Sequence, residues 1–239
     1  MSNLQPFPTG FERVLCIVAH PDDLEYGTAA AVAGWTDAGV EVTYLLVTRG
    51  EAGIDTMPPE QAGPLREQEE RDGAREVGVE VVDFLDGFHD GVVEPTLELR
   101  RELARHIRDR RPQLVTTINH DLTFGGGHLN QADHRAVGLS VLDAVAAAGN
   151  RWIFPELVDE GHEPWDGVRW IAVSAVTDPT HVLDVTDGFE RGVASLEAHR
   201  EYLSALGPDY PAPRDLLGGI LEDPDSPGRY RWAARVYER

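Results

Sequence analysis

The sequence VLCIVAHPDDLEYG, residues 14–27, joins a short apolar run to a polar turn. The apolar run 14–19 predicts a buried strand. Such a strand does not normally end in His20, Asp22 and Asp23, because buried polar side chains need partners or cost stability. In open α/β sheets, ligands bind where a strand end leads into a helix. A cation is the simplest partner for this cluster.

Outward from this segment, apolar runs alternate with amphipathic segments along the chain. The pattern predicts strands at 14–19, 42–48, 81–85 and 114–117, and helices at 24–38, 59–77, 96–110 and 131–148. Four strand–helix units in succession are typical of a parallel sheet covered by helices. We therefore expect an α/β fold with a Rossmann-like parallel sheet.

The remainder of the chain is less regular. Residues 152–157 and 170–176 are predicted as further strands, and residues 189–206 as a helix. Residues 207–239 are rich in Pro, Gly and Asp until the final RYRWAARVYER. We expect a single α/β domain over 1–206 and an irregular C-terminal tail over 207–239 that packs on it.

The charge of the chain excludes several classes of partner. Its 21 basic and 42 acidic residues give a formal net charge of −21. Such a surface repels nucleic acid and anionic membranes, so neither is an expected partner. No apolar run approaches the roughly 18 residues that a transmembrane helix needs. No signal peptide is visible in the sequence, which predicts a cytoplasmic protein.

Two residue types are rare or missing, and each excludes a kind of chemistry. Cys16 is the only cysteine, which rules out thiolate zinc clusters and disulfide scaffolds. Every basic residue is arginine, so a catalytic or Schiff-base lysine is excluded. Exclusive use of arginine is also a habit of GC-rich bacterial genomes.

A second polar segment, HLNQADHRAVG at 128–138, places His134 beside Asp133. A catalytic zinc ion takes three N or O ligands and keeps one position open for water. His20 and Asp23 can converge at a strand-to-helix turn, and His134 can supply a third ligand. A carboxylate beside the attacking water can then accept its proton. The alternative is that residues 21–23 only turn the chain and cap the next helix.

The two polar segments together resemble those of the PIG-L/LmbE-like zinc N-deacetylases. AHPDDLEYG is similar to the family's AHPDD-x-E-x-G signature, and HLNQADHRAVG is similar to its H-x-N-H-P-D-H-R segment. Weaker similarities are RGEAG at 49–53, REQE at 66–69, the Asp90-Gly91 pair, DVTD at 184–187 and AHR at 198–200. The resemblance covers roughly residues 12 to 205 and implies an LmbE-like fold.

The resemblance implies a role for each residue of the site. His20, Asp23 and His134 would bind Zn²⁺ or another divalent metal, and Asp22 would be the general base. Asp133 would orient a neighbouring side chain or His134. The substrate contacts would be Glu51, Arg66, Asp90 and His199.

One position departs from the family pattern. Gln131 occupies the place of a histidine that steadies the oxyanion and can protonate the leaving amine. A glutamine amide donates a hydrogen bond but delivers no proton. His128 is the alternative provider of this function, if the glycine loop FGGG at 124–127 folds inward. Otherwise Asp22 serves as both base and acid.

We therefore expect a metal-dependent hydrolase that removes an N-acyl group, most readily acetyl, from an amino sugar or glycoconjugate. The alternatives are an amidase that acts on a thiol–sugar conjugate, a nucleotide-binding Rossmann protein, and a metal-binding pseudoenzyme suggested by Gln131. The turn HPDD argues against nucleotide binding, because its carboxylates would repel a pyrophosphate. The expected partner is a small N-acetylated sugar or conjugate. The oligomeric state, including homo-oligomers, stays open.

Overall fold

The computed structural model describes residues 4–124 and 127–239, and within them an eight-stranded sheet lies between two layers of helices. The strands are β1 Gln5–Pro6, β2 Arg13–Val18, β3 Glu41–Leu46, β4 Val81–Phe84, β5 Leu114–Ile118, β6 Trp170–Ser174, β7 His181–Asp184 and β8 Arg231–Glu238. The helices are α1 Thr28–Asp37, α2 Pro59–Glu76, α3 Leu97–Arg110, α4 Ala132–Ala148, α5 Pro155–Asp159, α6 Phe189–Glu197, α7 Arg200–Ala205 and α8 Pro213–Leu221.

Strand β2 divides the hydrophobic core in two, because successive side chains of a strand point to opposite faces of the sheet. Val14, Cys16 and Val18 pack in the core with α1, α2, α6 and α8. Leu15 and Ile17 pack in the core with α3 and α4. Since both faces of the strand are covered, its sequence is apolar from Val14 to Val18. This confirms the predicted α/β sheet flanked by helices.

The order of the sheet is β1-β7-β8-β6-β5-β2-β3-β4. Strands β2, β3 and β4 follow one another outward, and the chain then returns to place β5 on the other side of β2. The pairs β2–β3 and β2–β5 are parallel, so their carboxyl ends meet at one edge of the sheet. The direction of winding changes beside β2, and a crevice at such a point is the usual ligand site of this architecture.

Two predictions for the middle of the chain are wrong. Residues 152–157 form a turn that enters helix α5 instead of a strand, with Pro155 in the first turn, where its missing N–H costs nothing. Trp152 is 81% exposed there. The predicted helix over 189–206 divides into α6 and α7, because the chain bends at Ala198 and His199 and turns the imidazole inward.

The C-terminal segment also differs from the predicted irregular tail. Residues 207–239 contain helix α8 and strand β8, and β8 lies inside the sheet between β6 and β7, antiparallel to both. Trp232, Ala234 and Val236 are buried, whereas the residues between them are only half-buried. The segment therefore completes the sheet, and the boundary at residue 206 does not separate it from the core.

No helix in the part of the chain described here is long and apolar enough to cross a lipid bilayer.

Candidate active site

The turn after β2 holds its polar residues through hydrogen bonds to its own backbone. Asp23 Oδ2 accepts the backbone N–H groups of Ala19 at 3.0 Å and His20 at 2.9 Å. These bonds give a partner to two backbone N–H groups just after the end of β2. They also fix the Asp23 carboxylate beside the His20 ring. The turn does not cap the next helix, because α1 begins at Thr28 after Gly27 and has no side-chain cap within the described part of the chain. The two bonds instead position the second oxygen of Asp23.

His20, Asp23 and His134 converge although more than a hundred residues separate the first from the last. His20 Nδ1 lies 3.3 Å from His134 Nε2 and 3.6 Å from Asp23 Oδ2. His134 Nε2 lies 3.0 Å from Asp23 Oδ1. Each of the three residues is at most 8% exposed. His20 comes from the end of β2 and His134 from the first turn of α4, which follows β5, the neighbouring strand.

Each imidazole is oriented by a hydrogen bond on its far nitrogen. His20 Nε2 lies 3.2 Å from Asp133 Oδ2 and 3.0 Å from Asp90 Oδ1. His134 Nδ1 lies 3.0 Å from Asn130 Oδ1. With the protons on these far nitrogens, His20 Nδ1 and His134 Nε2 present lone pairs to a common point. This is how metal-binding histidines are usually held.

This donor set fits a divalent cation. Tetrahedral zinc with bonds of about 2.0–2.1 Å places its ligand atoms about 3.3 Å apart. His20 Nδ1 and His134 Nε2 lie 3.3 Å apart, and Asp23 Oδ1 lies 3.0 Å from His134 Nε2 while Oδ2 holds the two backbone N–H groups. Two facing lone pairs at 3.3 Å repel each other unless a proton or a cation lies between them. Burial lowers the pKa of His20, but hydrogen bonds to Asp133, Asp23 and Asp90 outweigh it and raise the pKa overall. The surroundings of the ring thus favour positive charge.

Asp22 lies beside this centre in a strained backbone conformation. Its φ of 92° is unusual for a residue other than glycine, and such strain persists only where the surroundings enforce it. Its N–H donates to Glu70 Oε2 at 3.1 Å, and its Oδ2 lies 3.2 Å from Arg66 Nη2. Burial raises the pKa of Asp22 to about 6, although Arg66 opposes the shift. Such a carboxyl can exchange a proton near neutral pH.

Arg66 holds the turn and the loop after β3 together. It donates to Pro21 O at 2.5 Å and to Gly50 O at 3.1 Å, and it lies 3.9 Å from the centre of the Tyr202 ring. Gly50 has a φ of 61°, and a side chain there would collide with the guanidinium. Because Arg66 lines the cavity and is only 2% exposed, the predicted substrate contact would come from one face of the guanidinium.

We expect Glu70→Ala to lower kcat about tenfold, because losing one buried hydrogen bond worth about 1.4 kcal/mol frees the Asp22 backbone. Glu70→Gln keeps an oxygen that can accept this N–H and should retain most of the activity. Metal content and Tm are measured for both variants. A normal kcat in Glu70→Ala, or equal losses in the two variants, would contradict the positioning role.

A buried cluster lies behind Asp22 and contains the predicted substrate residue His199. His199 is fully buried, and its Nε2 lies 3.9 Å from Glu25 Oε2 and 3.7 Å from Glu70 Oε2. Burial lowers the pKa of this histidine to about 3, so the ring is neutral. Burial raises the pKa of Glu25 to about 7 and holds the pKa of Glu70 well above its usual value. His199 is not among the described residues that line the cavity, and it packs behind Asp22 with its Nε2 3.7 Å from Glu70 Oε2.

A cavity of about 710 Å³ opens over the centre, and Gln131 lines it whereas His128 lies outside it. Gln131 is the residue before the first turn of α4, and its side chain makes no capping hydrogen bond within the described residues. His128 is exposed, on a short loop closed by the Thr123–Leu129 bridge. Gly125 and Gly126 of the predicted FGGG loop lie outside the described residues. The geometry favours Gln131 over His128 as the group nearest to a substrate.

The predicted substrate residues Glu51 and Asp90 have different positions. Asp90 lines the cavity and contacts His20. Glu51 lies outside the cavity, where its Oε1 accepts the Asp90 N–H at 3.1 Å and faces His89 Nδ1 at 3.2 Å. Glu51 therefore fixes the loop that carries Asp90, because its carboxylate is engaged by that backbone.

The sequence did not decide which side chain Asp133 orients, and the structure shows that it is His20. Asp133 Oδ2 faces His20 and accepts the Gly91 N–H at 2.7 Å, and its Oδ1 accepts the Val93 N–H at 3.1 Å. It thus orients the His20 ring, and Asn130 orients the His134 ring. Asn130 was not predicted, although its spacing of four residues from His134 at a helix start is a usable signal. Tyr202, also not predicted, lies against Arg66 and lines the cavity with Asp22.

Comparison with known proteins identifies relatives of this chain. The family profile described as PIG-L, GlcNAc-PI de-N-acetylase, matches residues 15–145. The chain is 30% identical over 199 residues to the diacetylchitobiose deacetylase of Thermococcus kodakarensis, covering 82% of this chain and 71% of that protein. It is 31% identical over 166 residues to the mycothiol S-conjugate amidase of Streptomyces coelicolor, covering 60% and 55%.

A solved structure has the same fold over nearly the whole chain. The N,N'-diacetylchitobiose deacetylase of Pyrococcus horikoshii superposes with a TM-score of 0.83 at 25% identity, covering 95% of this chain and 84% of that one. The family match spans more than half of the chain and includes β2, the HPDD turn and the start of α4. The chain belongs to the PIG-L family of GlcNAc-PI de-N-acetylase-like proteins.

Proposed function

We propose that this protein is a metal-dependent hydrolase that removes an N-acyl group, chiefly acetyl, from an amino sugar or its conjugate. The observation that carries the proposal is the convergence of His20, Asp23 and His134 beside the strained Asp22 in one cavity. Relatives named as deacetylases of N-acetylated sugars support it.

The residues that would hold the metal are His20, Asp23 and His134. Two imidazoles and one carboxylate suit Zn²⁺, and we propose zinc as the native ion. When bound, such an ion would polarise the acyl carbonyl and favour ionisation of the attacking water near neutral pH.

Asp22 is the proposed general base. Its carboxylate is buried beside the centre and is held by Arg66, so it needs little reorganisation to accept a proton from water. The same carboxyl, once protonated, can return the proton to the leaving amine. Gln131 then donates its amide N–H to the developing oxyanion, a bond that strengthens in the transition state.

An assay for acetate tests this function. Purified protein is incubated with N-acetylated glucosamine derivatives, and free acetate and amine are measured before and after removal of the metal by a chelator. We expect turnover that chelation abolishes and that Zn²⁺ restores. Metal-independent turnover would contradict the proposal.

An amidase that acts on a thiol–sugar conjugate is the second candidate, and the similarity to a mycothiol S-conjugate amidase favours it. Both reactions hydrolyse an amide on an amino sugar and need the same centre. The two reactions differ in the acyl group that is removed from the nitrogen. Assays with an N-acetyl sugar and with a thiol conjugate of the same sugar therefore distinguish the deacetylase from the amidase.

We expect Gln131→Ala to lower kcat by up to about 10²-fold with a smaller effect on KM, because the lost bond is strongest in the transition state. His128→Ala is the matched control and should have little effect, since this side chain is exposed outside the cavity. Steady-state kinetics of both variants decide the matter. If Gln131→Ala kept a normal kcat and His128→Ala lost most of its activity, the oxyanion role would belong to His128.

A further inference from the structure

The proposed chemistry uses only one end of the cavity. The polar residues at that end are the metal-binding set, Asp22, Arg66, Asp90 and Gln131. The remainder of the lining has a larger apolar part and six polar residues, Tyr26, Thr28, Ser174, Tyr202, Glu222 and Arg231. Seven residues of that apolar part are Ile118, Phe124, Val176, Ile220, Leu221, Trp232 and Ala233. We call these seven residues the apolar wall. Its composition bears on which amino sugars the site accepts.

The cavity is long as well as large. Its catalytic residues follow β2 and β5, whereas its far end includes Val176, just after β6, and Ala233 in β8. Strands β2, β5, β6 and β8 are successive neighbours in the sheet. The three strand spacings from β2 to β8, each about 4.8 Å, therefore make the site about 14 Å wide, and two of them, about 10 Å, lie beyond β5. A volume of about 710 Å³ suits a drug-sized molecule and exceeds the need of one acetylated sugar ring.

The far end favours an apolar group over a second sugar. Leu221 and Trp232 are at most 3% exposed, and Ile220 lies at the mouth with 50% exposure. Gly27 leaves the space before them open, since a side-chain carbon there would lie 3.7 Å from Leu221 Cδ2 and 3.9 Å from Trp232 Cδ1. Hydroxyl groups placed against this wall would lose their hydrogen bonds to water, and that costs free energy.

The polar side chains away from the metal-binding residues are mostly engaged within the protein. The Tyr26 hydroxyl bonds to that of Tyr210 at 2.8 Å, and Glu222 Oε1 accepts the Gly228 N–H at 3.3 Å. Arg231 Nη1 lies 3.2 Å from Asp223 Oδ1, and Ser174 donates to Thr117 O. Trp232 Nε1 is buried without an acceptor among the residues that the structure describes. The indole carbon next to it faces Gly27, which also lines the cavity. A ligand with one ether-type oxygen and an otherwise apolar body would match this arrangement.

We propose that the substrate is an N-acetylated amino sugar whose anomeric oxygen carries an apolar alkyl or aryl aglycone, which lies against the apolar wall. This inference rests on the proposed deacetylase function and specifies its substrate class. The sugar ring lies at the polar end, with its acetamide at the metal-binding residues.

The test compares three probes with the metal-loaded enzyme: N-acetylglucosamine, its octyl glycoside in both anomers, and N,N'-diacetylchitobiose, which carries a polar group of similar size. Acetate release gives kcat/KM for each. We expect one octyl anomer to exceed both other probes about tenfold to a hundredfold, since burial of apolar area is favourable. Ile220→Asp should bring the ratio of octyl glycoside to free sugar close to one.

Leu139→Asp is the matched control, because Leu139 is 47% exposed on α4, outside the cavity, and the ratio should not change. Equal kcat/KM for the free sugar and both octyl anomers, or a preference for diacetylchitobiose, would overturn the aglycone inference and leave the deacetylase function standing. Failure to release acetate from any of the three probes would count against both.

Discussion

His134→Ala should contain far less than one equivalent of metal and should lose at least about 10³-fold in kcat/KM. The substitution removes one of three protein ligands and leaves His20 and Asp23 without their common partner. Removing the metal also removes the polarisation of the carbonyl, an electrostatic contribution of several kcal/mol. Elemental analysis of protein purified without chelator measures the first effect, and acetate release measures the second.

The control for this experiment is His162→Ala. His162 pairs with Asp109 on the other side of the molecule and lies outside the cavity, so its loss should leave metal content and activity unchanged. A His134→Ala protein that binds a full equivalent of metal would show that the ligand set is wrong. Circular dichroism and Tm exclude unfolding as the cause of metal loss.

Asp22→Asn should lower kcat by about 10²–10⁴-fold while metal remains bound. Asparagine has the same shape and can still accept a bond from Arg66, but it takes no proton from water, and a general base typically contributes this factor. Because Asp22 is not among the three converging ligands, metal content should stay near that of the wild type. The expected signature is therefore a loss in kcat without a loss of metal.

Asp86→Asn is a suitable comparison, since the Asp86 side chain is 92% exposed and pairs only with Arg49 among the described residues. It should behave as wild type in both measurements. Near-normal turnover of Asp22→Asn would mean that Asp22 only shapes the turn. Simultaneous loss of metal would instead assign it to the ligand set.

The parts of the fold that the sequence predicted are those with a strong local pattern. Strand β2 reads as an uninterrupted apolar run, because it is buried on both faces, and its polar ending marks the site. Helix α3 has Leu99, Leu103 and Ile107 on one face, and all three are fully buried. Both elements fall within one or two residues of their predicted bounds.

Strand β8 shows a signal that was present and overlooked. Its residues alternate between buried and half-buried over Arg231–Val236, which is the period-two pattern of a strand. The Pro- and Gly-rich stretch before it suggested an irregular tail and concealed the alternation. Its place between β6 and β7 could not be predicted, because nothing in the local sequence encodes which strands it pairs with.

The candidate site residues also divide into those that a local sequence pattern predicts and those that only tertiary packing brings to the site. His20, Asp22 and Asp23 stand out because they interrupt an apolar pattern. The supporting residue Glu70 lies far along the chain and looks like an ordinary helix residue, so only tertiary packing shows that it holds Asp22. His199 matched the family's motif in sequence, yet it is buried behind Asp22 and is not in the cavity.

The place of β8 in the sheet has a consequence for synthesis on the ribosome. Among the described residues, β7 and its neighbour β1 reach the other strands only through β8, which is translated after all of them. Until residues 231–238 emerge, β6 is an open edge and is exposed to pairing with other nascent chains. The catalytic turn is complete early in translation, but the cavity gains the wall formed by Trp232 and Ala233 only at the end.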